Sequence, residues 1–108
     1  MLLVRFEWSA ATASALRALG VDLLHSVDGG VGYAYADDAV ADAARRCVAQ
    51  VPGASLATLT PLIDVAGASA GAAAPYHYIV ETDVEPAHEA DFNAWYDTEH
   101  LPGLAAVP

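Results

Sequence analysis

Apolar and polar positions alternate at once. Leu2, Val4, Phe6 and Trp8 interleave with Leu3, Arg5 and Glu7, a period of two that predicts a strand with one buried face. Ser9 then caps an Ala-rich helix to about Leu19, stopped by Gly20. Val21 to Val27 reads as a second strand and Asp28-Gly29-Gly30 as a turn. Val31, Tyr33 and Tyr35 alternate with small residues on a third strand, so a hairpin is expected. Asp37 is the expected cap of a second helix to about Gln50, ended by Pro52-Gly53. Ser55 to Val65 completes the series as a fourth strand.

The resulting order is β-α-β-β-α-β, the ferredoxin-like arrangement of an antiparallel sheet with both helices on one face. Right-handed crossovers place the helices on that common side. Residues 1–66 form this unit. Residues 67–75, mostly Gly, Ala and Ser, are a linker with nothing to bury. Tyr76 to Thr82 predicts a new strand. Glu85-Pro86 opens a helix, with Pro at its first position, that runs to about His100 and is ended by Leu101-Pro102-Gly103. Residues 76–108 therefore read as the first strand and helix of a second, incomplete unit. Ala105-Ala106-Val107-Pro108 looks like the approach to another element, so the natural chain is expected to continue. The fold class is α+β.

Charge narrows the partners. The net charge is −10 and there is no lysine, which disfavours nucleic acid and anionic membrane surfaces. No apolar run approaches the roughly 20 residues of a membrane span. Arg5 interrupts the N-terminus too early for a secretory signal, so a cytoplasmic protein is expected. The single cysteine, Cys47, has no internal disulfide partner and reads as a small buried thiol. His88-Glu89-Ala90-Asp91 lacks the paired histidines of a zinc-protease helix, and no other metal spacing stands out. Asp28-Gly29-Gly30-Val31-Gly32 precedes a strand, which argues against a phosphate cradle. No metal or cofactor is assigned.

Reactive chemistry concentrates in Phe92-Asn93-Ala94-Trp95-Tyr96-Asp97-Thr98-Glu99-His100-Leu101-Pro102. At about 3.6 residues per turn, Asn93, Tyr96, Asp97 and His100 share one stripe. Phe92, Trp95 and Glu99 form the next stripe, expected to bury against the sheet. His100 would close the helix, where the partial negative charge of the C-terminus favours imidazolium. An imidazole there suits general acid or base work, and Tyr96 one turn back suits polarising a substrate oxygen. The structural alternative has His100 capping its own helix carbonyls and Trp95 and Tyr96 serving as packing. On the sheet, Arg5 and Glu7 oppose the helix-facing residues of the first strand. His77 and Glu81 do the same on the expected fifth strand, so these four are candidates to line a cavity.

Tyr78-Ile79-Val80-Glu81, followed by Asp91 to Pro102 and Val107-Pro108, resembles the dimeric α+β barrel superfamily, and within it EthD-like and related small bacterial proteins. Their helix has the form F-N-x-W-Y-x-x-E-H-x-P, matched here by Phe92, Asn93, Trp95, Tyr96, Glu99, His100 and Pro102. The first 65 residues lack the motif and match in element order alone. The resemblance implies paired ferredoxin-like units enclosing a cavity, from two chains or a tandem repeat with a degenerate first half, and a homodimer as the assembly. It also implies activities in the range of polyketide cyclases, lactone isomerases and cofactor-free monooxygenases. On that footing His100 and Tyr96 are the catalytic candidates. His77, Glu81, Arg5, Asn93 and Trp95 are the substrate contacts, for a small hydrophobic oxygenated molecule. A non-catalytic ligand-binding or assembly module is the alternative.

Overall fold

The computed structural model describes residues 1–107. It is an α+β protein of two compact units, Met1–Pro61 and the chain from Leu62 onward. No helix among the described residues is long and apolar enough to cross a membrane.

The first unit runs β1 (Leu2–Glu7), α1 (Ala10–Ala18), β2 (Asp22–His25), β3 (Val31–Ala36), α2 (Ala41–Val48) and β4 (Ser55–Thr58). The sheet order is β2-β3-β1-β4, and every neighbouring pair is antiparallel. Central β1 shows the expected alternation. Leu2, Val4 and Phe6 are buried, whereas Arg5 and Glu7 are exposed. Against them pack Leu16 of α1 and Ala44 and Val48 of α2, so both helices cover the same face. Burying each of the larger apolar chains contributes about 1.5–3 kcal/mol.

β3 answers β1 with small residues. Gly32, Ala34 and Ala36 face the helices, in register with Phe6, Val4 and Leu2. The Phe6 ring lies directly over Gly32. A Cβ there would stand under 3.0 Å from three ring atoms.

Local chemistry sets the boundaries. Ser9 caps α1 as expected, its hydroxyl accepting from the Thr12 amide at 3.1 Å. The β2–β3 turn is bound by its own side chains. Asp28 accepts from the Ser26 hydroxyl and from the Gly30 amide, while Gly29 takes the left-handed backbone that the turn requires. These bonds, the Ser26 contact first, hold the Asp28 carboxyl below the ordinary carboxylate value.

Several expected boundaries move. Asp37 does not cap α2. Its carboxylate accepts from the Ala39 amide and its carbonyl from Val40, building a turn that delays the helix to Ala41. β4 stops at Thr58 rather than Val65. Thr58 already opposes Leu2 and the Leu59 amide bonds to Met1, so β1 offers no further backbone, and Pro61 lacks a donor. Tyr76 to Thr82 forms no strand. A strand requires a neighbour for its backbone, and the unit after Leu62 contains no other strand among the described residues. That unit is helical instead: a 3₁₀ turn (Pro86–His88), α3 (Glu89–Trp95), a π turn (Tyr96–His100) and α4 (Leu101–Ala105). Leu101-Pro102-Gly103 does not end the helix, because Pro102 sits in the first turn of α4, where its missing N–H costs least.

Two stability measurements check this account. Gly32→Ala should destabilise the protein by about 1–3 kcal/mol in urea unfolding, because the buried Phe6 ring must shift. Asp28 is more acidic folded than unfolded, so its contribution is complete above the unfolded carboxylate value and fades as the pH falls through the folded one. Asp28→Asn should therefore lower Tm at neutral pH, and the gap should close as the pH falls below about 3.9.

Candidate functional site

The helical run after Pro86 gathers four rings. Phe92 lies 4.8 Å from Tyr96 and 6.3 Å from Trp95, centroid to centroid. Trp95 meets Tyr96 edge-on at 5.4 Å. His100 joins both: it stacks on Trp95 at 4.6 Å with 23° between the planes, and meets Tyr96 edge-on at 4.8 Å. The His100 and Tyr96 side chains are half-buried, while Trp95 is exposed.

The π turn explains this grouping. In a regular α-helix, residues five apart point about 140° away from each other. Trp95 and His100 are five apart and nevertheless stack. The Leu101 amide bonds to the Tyr96 carbonyl, an i→i−5 bond that widens the turn by one residue. The Thr98 hydroxyl donates to the Ala94 carbonyl at 2.7 Å, a side-chain bond that loosens the regular ladder. The two separate stripes expected from the sequence are thus merged at His100. His100 is also not the end of its helix, since α4 continues the backbone to Ala105.

The remaining candidates lie elsewhere. Asn93 is half-buried in α3, two residues before Trp95. His77 and Glu81 lie in the irregular segment before Pro86, and both are exposed. Arg5 belongs to the first unit, on the sheet face away from the helices. Its guanidinium donates to the Tyr33 hydroxyl at 3.3 Å and lies 5.3 Å from that ring's centroid. Leu3, Leu24, Val31, Tyr33 and Tyr35 share the same face and are half-buried. Tyr33 is the residue the sequence reading missed. The Asp28-Gly29-Gly30 turn sets Tyr33 opposite Leu24, whereas its place opposite Arg5 comes from the β1–β3 register, which no local pattern fixes.

A Trp–His stack with a phenol at its edge offers a flat apolar wall, a proton acceptor or donor, and a hydrogen-bonding hydroxyl. No group of three or more potential metal ligands occurs among the described residues. Comparison with protein-family models, curated proteins and solved structures finds no match for the chain.

The stack is open to spectroscopy. With Trp8→Phe leaving Trp95 as the only indole, the emission reports the ring stacked against it. Adding His100→Gln removes the stacked imidazole and should change the intensity or wavelength of that emission at fixed pH; an unchanged spectrum would place the two rings apart.

Proposed function

We propose that this chain is an EthD-like protein of the dimeric α+β barrel type, built on a ferredoxin-like unit. It acts without a cofactor, by proton transfer, on a small hydrophobic oxygenated compound of polyketide or quinol kind. The strand order β2-β3-β1-β4, with both helices on one face, supports the ferredoxin-like part. The half-buried face of Leu3, Leu24, Tyr33 and Tyr35 supports a homodimer formed sheet to sheet. The acidic charge supports a protein with neither nucleic-acid nor anionic-membrane partners.

One observation carries the chemistry: the His100 imidazole held against both the Trp95 and the Tyr96 rings. In this reading His100 takes a proton from carbon or oxygen of the substrate and returns it later. The Tyr96 hydroxyl orients the oxygen on which charge develops. Trp95 supplies the flat wall, and Asn93, His77 and Glu81 are further polar contacts. A cyclase, an isomerase or a cofactor-free monooxygenase would use such an arrangement. The second reading is a non-catalytic ligand-binding or assembly module. The Trp95–His100 stack favours it to the extent that flat molecules bind such a surface without moving a proton.

His100→Ala tests whether this residue belongs to a binding site. Circular dichroism should be unchanged and Tm should fall by no more than roughly 4–8 °C. Binding of planar phenols and 1,3-diketones, measured by calorimetry, should be lost. Unchanged binding would remove His100 from the site, and a larger loss of Tm with no change in binding would make the residue structural.

A further inference from the structure

We propose that Pro102 is a positioning residue for His100, acting by blocking the α-helical register that would pull the imidazole off Trp95. The inference rests on the assignment of His100 above, but its geometry can be tested without any ligand.

The argument starts from hydrogen bonds. Were the helix α-helical through this stretch, residue 102 would donate its amide to the Thr98 carbonyl. Proline has no amide hydrogen, and its ring would press against that same carbonyl. The backbone avoids the conflict by opening one turn. Leu101, the last residue with an N–H before the proline, reaches back to Tyr96 rather than to Asp97. Pro102 then follows Leu101 in the first turn of α4, and its own carbonyl accepts from Ala106 at 3.2 Å. Thr98 helps on the other side of the turn, by donating its hydroxyl to the Ala94 carbonyl.

The side chains follow the backbone. The two contacts of His100 differ in their dependence on the turn. Tyr96 and His100 are four apart and are neighbours in either register. Trp95 and His100 are five apart and are neighbours only in the wide one. Pro102 therefore selects the second ring of the pair through the backbone. With the wide turn, the imidazole has an indole against its face and a phenol at its edge. Without it, the phenol contact alone remains.

Pro102→Ala restores an amide donor and introduces the strongest helix former. Nuclear Overhauser contacts between the His100 and Trp95 rings should be clear in the parent protein and lost in the variant. Contacts between His100 and Tyr96 should persist in both. Unfolding would remove both sets together, so the selective loss is the signature of a register change. Pro102→Ser, which also restores the donor, provides a second variant and should behave alike. Persistence of the Trp95 contacts in both folded variants would overturn the inference, as would their absence from the parent. If His100 is a binding residue, Pro102→Ala should weaken calorimetric binding of the same phenols and diketones while keeping or raising Tm. Binding that His100→Ala leaves unchanged would defeat the functional assignment alone, and the ring contacts would still decide the role of Pro102.

Discussion

The alternation along β1 is the constraint on which the first unit depends. This strand is bonded on both sides, to β3 and to β4, so its register fixes both. A slip of one residue would turn Arg5 and Glu7 into the helices and expose Leu2, Val4 and Phe6. Burying two charged side chains among apolar ones costs far more than any local rearrangement returns. The neighbouring strand is matched to this demand. Large side chains on β1 meet small ones on β3, and the tightest case is Phe6 covering Gly32. The helices add Ala13, Leu16, Ala44 and Val48 to the same layer. Among the described residues, three of the four largest fully buried side chains, Phe6, Leu2 and Val4, come from this one strand.

The helical part of the second unit is organised by a different kind of interaction. None of its helical residues is buried. Its order within α3 and the π turn comes from backbone hydrogen bonds and from rings touching rings, pairs worth about 0.5–1.5 kcal/mol each. Such a segment has little core to resist a change in backbone register. Single residues with strong backbone preferences, Thr98 and Pro102, therefore have more influence here than they would in a packed helix.

The same contrast explains what the sequence made legible. The alternation of β1, the Ser9 cap and the Asp28-Gly29-Gly30 turn are local patterns, and each is present where it was expected. The strand that fails, Tyr76 to Thr82, has the right alternation, but a strand depends on a partner that its own residues do not encode. β4 is cut short for a related reason: its length is set by where β1 begins. Asp37 carries the chemistry of a cap, and a turn used it three residues too early. At the candidate site, helical arithmetic put Tyr96 and His100 together, as found. It separated Trp95 from His100, because a period of about 3.6 assumes that no turn is wider than its neighbours. Pro102 was read as a stop, whereas it permits continuation after a widened turn.

A ring of hydrogen bonding closed over five residues instead of four encloses one surplus amino acid. The segment between Trp95 and Pro102 thus has the geometry of an insertion accommodated within a helix. Its ring arrangement depends on chain length as well as on residue identity. Shortening this stretch by a single position would bring the indole and the imidazole to four apart, and a stack between them would then survive in an ordinary helix.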